Sequence, residues 1–280
     1  MEYAFYDGNF LPLCEVKIGV NDRSFFFGDG VYDAMVGAGD VIYMEEEHLS
    51  RFEKSRSQLS LKIPYNKQQI GAILRTLMKK AGDKLSFLYV QASRYGRERK
   101  HSPDFSSPAH FFAYAKPMVL PNDKEMLSLV TVEDTRYSLC HIKTINLLPN
   151  VLASGYAEER GADEAVFVKD GIVRECSHSN ISLLCKGVLL THPLDCHILP
   201  GIMRGALLRE AQKSGIPIEE REYTIRDILS AEGVFITSTT RRVALAKSLD
   251  GHPLSSPSNE ALSLQARVNM DFYEKMSKFY

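Results

Sequence analysis

Ala165-Val-Phe-Val-Lys-Asp170-Gly171-Ile-Val-Arg174 reads as two short apolar strands folded back on each other at an Asp-Gly pair. Asp and Gly suit the positive φ of a tight turn and the flanks are rich in β-branched and aromatic residues, so the stretch predicts a β-hairpin. The device also opens the chain, where residues 3–6 and 9–13 flank Asp7-Gly8, and it returns where residues 31–35 and 41–44 are joined through Gly37-Ala38-Gly39. Helical patterns interrupt the hairpins. Residues 45–59 begin with acids that favour a helix start and offer Leu49, Phe52 and Leu59 to an apolar stripe. Asn66 can cap a segment whose Ile70, Ile73, Leu74, Leu77 and Met78 share one face, with Gly82 just past its end. Further helices are expected near 150–160 and over 201–213, and strands at 85–92, 109–115, 127–132 and 234–237. Hairpins mixed with helices, in no regular strand-helix-strand series, argue for an α+β chain with mostly antiparallel or mixed sheets.

At roughly 150 residues per domain, 280 residues suggest two domains. Pro117, Pro121, Asn122 and Asp123 lie in a polar stretch without periodicity, so 117–124 is the expected linker between a smaller domain, 1–116, and a larger one, 125–280. A net charge of -1 removes the global basicity that draws a protein to nucleic acid or an anionic membrane. Neither a basic leader followed by an apolar stretch nor a run of about 18 apolar residues occurs, so a cytoplasmic protein is expected. The five cysteines are widely spaced without a Cys-x-x-Cys pair, and Asp195-Cys196-His197 lacks a second ligand pair; no disulfide framework and no metal site are expected. The absence of Gly-x-Gly-x-x-Gly after a strand, and of a Walker sequence, removes the usual support for dinucleotide and P-loop readings.

Four dispersed segments could carry chemistry. In His141-Ile-Lys143-Thr-Ile-Asn146, the lysine either snorkels to water from an apolar stretch or is a desolvated amine able to form a Schiff base with an aldehyde cofactor and then move protons. Glu175, in Arg174-Glu-Cys-Ser-His-Ser-Asn180, either caps a turn or pairs with the nitrogen of a pyridoxal ring, which makes the ring an electron sink. Leu199-Pro-Gly-Ile-Met203-Arg204 enters a helix and Thr237-Ser-Thr-Thr240 leaves a strand. Free N–H groups, a glycine and nearby hydroxyls there suit a phosphate, although each segment alone is also an ordinary cap or strand end. Arg51 could add a bidentate guanidinium or be a solvated helix arginine. The basic cluster from Arg94 to His101 reads as a solvated loop or a nucleic-acid patch, the latter disfavoured because Tyr95 is its only ring.

Taken in order, Gly28-Asp-Gly-Val-Tyr32, Glu47-His-Leu-Ser-Arg51, Ile142-Lys143-Thr-Ile-Asn146, Glu175 through Asn180, Gly201-Ile202 and Ser238-Thr239 resemble the motifs of class IV, fold type IV, pyridoxal-phosphate aminotransferases. The resemblance runs from about residue 3 to residue 251 and implies a two-domain α+β fold with pyridoxal 5'-phosphate in the cleft between domains. It implies that Lys143 forms the Schiff base and shuttles the proton, that Glu175 binds the pyridine nitrogen, and that Leu199 packs on the ring. Arg51, Ile202, Met203, Ser238 and Thr239 would surround the phosphate; Met203 stands where relatives often carry threonine, which leaves its backbone N–H as the contact. Arg99-x-His101 resembles the pair with which class IV enzymes acting on D-amino acids hold the substrate α-carboxylate, and Tyr32 matches the tyrosine completing that trap. In those enzymes the pair reaches across from the neighbouring subunit, so a homodimer is implied. The implied activity is ping-pong transamination between a D-amino acid, such as D-alanine or D-glutamate, and 2-oxoglutarate or pyruvate. An L-branched-chain aminotransferase and an aminodeoxychorismate lyase share the cofactor residues and differ at the trap. A non-catalytic binding protein would have no physical reason to keep Lys143 and Glu175 together.

Overall fold

The opening hairpin turns at Asp7-Gly8, whose φ angles of 43° and 98° are the left-handed values an Asp-Gly pair adopts readily. It joins β1 (Tyr3–Tyr6) to β2 (Asn9–Pro12) in a computed structural model that describes residues 2–82, 85–276 and 279. The chain divides into two units: one of Met1–Val119, Ile142–Asn146 and Lys275–Tyr280, the other of Leu120–His141 and Leu147–Glu274.

The first unit continues through α1 (Arg23–Phe27), β3 (Gly30–Ala38), β4 (Val41–Ile42), α2 (Glu45–Gln58), α3 (Lys67–Lys80), β5 (Ser86–Arg94) and β6 (Ala109–Pro117). Its sheet has the order β2-β1-β6-β5-β3-β4, antiparallel throughout. β5 buries every second residue from Ser86 to Val90, as expected of a strand with one face on a core. Against that face pack Leu49 and Phe52 of α2 and Leu74 and Leu77 of α3. Asn66 caps α3 as its sequence predicted: its side chain accepts from the Gln69 N–H and the Gln69 side chain accepts from its own. The strip Ile142–Asn146 also belongs to this unit, through a bridge between Thr144 and Val31 and the burial of Ile142 in the same core. Lys143, expected in the larger domain, is therefore carried by the first unit. Chain order alone gives no sign of such a return.

The second unit holds β7 (Leu127–Glu133), α4 (Leu148–Glu159), β8 (Glu164–Lys169), β9 (Ile172–Cys176), β10 (Asn180–Cys185) and β11 (Val188–Thr191). Then follow α5 (Ile202–Lys213), β12 (Ile218–Glu220), α6 (Ile225–Leu229), β13 (Gly233–Ser238), β14 (Arg242–Leu249), β15 (His252–Pro253) and α7 (Asn259–Met276). The sheet runs β12-β11-β10-β13-β14-β7-β8-β9, with β15 on β14. Its β11/β12, β14/β7 and β7/β8 pairs are parallel and the rest antiparallel. Leu127, Val166, Ile181, Leu183 and Ile236 lie in its core. The hairpin at Asp170-Gly171 forms as read, with φ of 50° and 79°. Both units thus mix helices with antiparallel or mixed sheets, an α+β architecture. No helix among the described residues is long and apolar enough to cross a membrane.

Candidate active site

β3 holds the Lys143 strip along its edge. The Tyr32 N–H donates to the Lys143 carbonyl at 2.9 Å and the Ile145 N–H to the Gly30 carbonyl at 3.1 Å. The Lys143 N–H donates to Ser55 Oγ at 3.2 Å, and Asn146 Nδ2 to the Gly28 carbonyl at 2.7 Å. Gly28 has φ of 60°, and a Cβ there would lie 2.5 Å from Asn146 Oδ1, so the approach requires glycine. With its backbone fixed on both sides, Lys143 places Nζ 3.3 Å from the Tyr32 hydroxyl and 4.3 Å from the centre of that ring.

Asp33, the next residue on β3, is fully buried. Arg51 grips it as a fork, Nε to Oδ2 and Nη2 to Oδ1, both at 2.8 Å, and His48 Nδ1 lies 2.8 Å from Oδ1. Burial alone would raise the Asp33 carboxyl, but the Arg51 guanidinium and His48 outweigh it and hold the group well below the ordinary range. Burial also pushes His48 below its usual 6.5, against the pull of Asp33. The neutral ring then donates from Nδ1 to a carboxylate that only accepts. Arg51 is accordingly no solvated helix arginine; its orientation is set from beneath by Asp33.

Arg99 and His101 lie in the exposed connection from β5 to β6, and among the described residues neither side chain has an ion-pair partner.

In the second unit Glu175 is the penultimate residue of β9. Its Oε1 meets Arg136, and its Oε2 accepts from Asn180 Nδ2 and the Leu199 N–H, each at 3.0 Å. Arg136 is itself fixed by Asp134, by the His197 carbonyl and by the face of Phe167, whose centre lies 4.2 Å from the guanidinium carbon. Asn180 is the stitch of this cluster. Its amide also donates to the Leu199 carbonyl at 3.0 Å, and its partner across the sheet is Thr237, one residue before Ser238. Its Oδ1 would lie 1.9 Å from a Cβ on Gly201, which keeps that position glycine. Gly201 opens α5 without any side-chain cap, so the helix presents backbone N–H groups of Ile202 and Met203 at a positive dipole end. The fold thereby assembles Glu175, Leu199, Ile202 and Met203 next to the strand end that carries Ser238 and Thr239.

An amine backed by a phenol, a carboxylate set by three donors, and an uncapped helix start suit the aldehyde, ring nitrogen and phosphate of pyridoxal phosphate. Asp33, His48 and Arg136 were not singled out by the sequence. Asp33 carries a local sign, an acid within an apolar strand; Arg136 meets Glu175 from 39 residues away and carries none.

A family model for class IV aminotransferases matches residues 30–249. The chain is 33% identical over 276 residues to a D-alanine aminotransferase of Staphylococcus aureus (strain N315), covering 98% of each. A D-alanine aminotransferase of Bacillus licheniformis is 31% identical over 255 residues, 90% of each chain. Among solved structures, the branched-chain aminotransferase of the archaeon Thermoproteus uzoniensis with norvaline superposes with a TM-score of 0.88 at 23% identity, over 99% of this chain and 96% of that one. A 4-amino-4-deoxychorismate lyase, so described, of Legionella pneumophila gives 0.85 at 21% identity, over 92% of this chain and 97% of that one. These two likenesses concern the fold alone. The chain belongs to the class IV aminotransferases, enzymes that work with pyridoxal phosphate.

Proposed function

We propose that this aminotransferase moves an amino group between a D-amino acid, such as D-alanine or D-glutamate, and a 2-oxo acid, such as 2-oxoglutarate or pyruvate, and that it does so as a homodimer. The observation that carries the reading is the 3.3 Å contact between Lys143 Nζ and the Tyr32 hydroxyl, which sets a proton-carrying amine beside a phenol able to donate to a carboxylate. The D-alanine aminotransferases matched over most of the chain support it, as does the Arg99-x-His101 spacing.

Pyridoxal phosphate, when bound, supplies an aldehyde that receives the amino group and a ring that accepts electrons. Glu175, Leu199, Ile202, Met203, Ser238, Thr239 and Arg51 would hold it, with Lys143 at the aldehyde. Lys143 Nζ would take the substrate Cα proton and keep it on that same side for the second proton transfer that amino-group transfer requires. Tyr32, Arg99 and His101 bind the substrate α-carboxylate, the arginine as a fork and the others as single donors. A fixed carboxylate and one amine on one side allow a single enantiomer to present its hydrogen to the base.

The holoenzyme is offered D-alanine or L-leucine, each with 2-oxoglutarate, and the new 2-oxo acid is measured. D-alanine is expected to yield pyruvate and L-leucine to give no product, with Lys143→Ala inactive in both arms. Turnover of L-leucine alone assigns the chain to the L-branched-chain activity. Release of pyruvate from aminodeoxychorismate, with neither amino acid used, assigns it to the lyase.

A further inference from the structure

The loop carrying Arg99 and His101 has no regular structure and its residues are exposed, so those two side chains need something to aim them. The short helix α1 meets that loop at four points. Asn21 Nδ2, just before the helix, donates to the Arg97 carbonyl at 2.8 Å. Gly96 passes so close that a Cβ there would lie 2.5 Å from the Asn21 carbonyl oxygen and 2.9 Å from Arg23 Cγ. Arg23, only 6% exposed, donates from Nη2 to the His101 carbonyl at 3.0 Å and from Nη1 to the Lys100 carbonyl. Finally, the Phe27 ring has the Arg99 guanidinium 5.2 Å from its centre and the His101 ring 5.3 Å from it, while Arg23 itself lies 4.6 Å away.

The helix is well anchored for such a task. Asp22 caps it by accepting from the Ser24 N–H at 2.8 Å and ties it to β5 by accepting from Ser93 Oγ at 2.8 Å. At its other end Asp29 Oδ2 accepts from Arg23 Nε at 2.8 Å and from Arg94 Nε at 2.9 Å. Arg23 is thus held by a carboxylate while its outer nitrogens grip the loop. Arg99, lacking a carboxylate among the described residues, rests on an aromatic face, an arrangement that orients a guanidinium without neutralising it.

We propose that α1 is the positioning element of the substrate-carboxylate site: Arg23 fixes the backbone of residues 100 and 101, and Phe27 supplies the face that aligns Arg99 and His101. The inference rests on the reading of Arg99 and His101 as carboxylate holders. In this reading Arg23 and Phe27 are positioning residues, acting through the pair they orient.

The test uses the holoenzyme and two probes, D-alanine for turnover and propionate, a carboxylate without an amine, as competitive inhibitor. Phe27→Leu and Arg23→Lys are each expected to raise the D-alanine KM and the propionate Ki together by about fivefold, with kcat held within about twofold, the upper end of what loss of an exposed, aligned cation–aromatic contact predicts. Phe27→Tyr, which keeps the ring, restores both constants. In an Arg99→Ala, His101→Ala background, Phe27→Leu adds less than about twofold, because Phe27 acts in series with the pair it orients. If Arg99→Ala raises KM and Ki while Phe27→Leu and Arg23→Lys leave them alone, the carboxylate reading stands and the role given to α1 is wrong. A fall in kcat and in melting temperature without the paired rise in KM and Ki marks a merely structural role and also overturns it. Unmoved constants in Arg99→Ala show instead that the underlying carboxylate reading has failed.

Discussion

Asp33 decides how firmly Arg51 and His48 are held, because it is a fully buried charge with its partners already in place. Removing one member of such a set leaves the other charge stranded in a medium that solvates it poorly, which costs about 3–5 kcal/mol. Asp33→Ala is therefore expected to lower unfolding stability by about that amount in a denaturant titration. A loss below about 1 kcal/mol would show that water reaches Arg51 and that the pair contributes little. The sequence put chemistry on Lys143, Glu175 and Arg51 because each type stands out against its neighbours or in a spaced motif. It did not reveal the groups that hold them. Arg136 is an ordinary charged residue until folding sets it against Glu175, and the acid at 33, conspicuous in its apolar strand, names no partner by itself.

At the scale of elements, the start of α5 and the start of β10 are one device joined by Asn180. A methyl group on Gly201 collides with Asn180 Oδ1, and the amide that moves is the one donating to Glu175 and to the Leu199 carbonyl. Gly201→Ala is expected to destabilise the protein by about 1–3 kcal/mol as an overpacking change and to weaken pyridoxal phosphate binding to the apoprotein, measured by absorbance titration. Gly155→Ala in α4 meets no atom within 4 Å and serves as the control, neutral or slightly stabilising. Hairpins and capped helices were readable because their signals are local. The helix α7 carries the same kind of signal: Ala261, Leu264, Val268 and Phe272 are buried at spacings of three and four, the signature that identifies α3. The short helix α1 is different, since five residues give no periodicity to detect.

For the whole molecule, the pH dependence of stability follows from which groups change pKa on folding. His48 titrates at its ordinary 6.5 in the unfolded chain and lower in the folded one. As pH drops below 6.5 the unfolded chain binds a proton that the native ring refuses, so native stability declines from there down to the folded pKa. The depressed Asp33 carboxyl acts lower still; its contribution is intact above its ordinary 3.8 and is lost as pH falls beneath that value. His110 works the other way, because its hydrogen bond to Asp7 raises its pKa and the resulting stability is lost as pH rises. A difference between variants isolates the first effect. From about pH 7.5 to about pH 5.5 the melting temperature of the parent is expected to fall further than that of His48→Gln, and equal slopes would mean that His48 is already charged in the native state.

The strip at 142–146 sets where this chain accepts foreign sequence. Both its neighbours along the backbone lie in the other unit, while its own amides and carbonyls are committed to β3 and Ser55. A peptide tag spliced in beside His141 would pull those bonds out of register and carry the reactive amine away with them. The solvent-facing tip at Asp170-Gly171 has no such commitment on its side chains and tolerates the same splice with activity retained, making it the natural place to attach a fluorophore or an affinity handle.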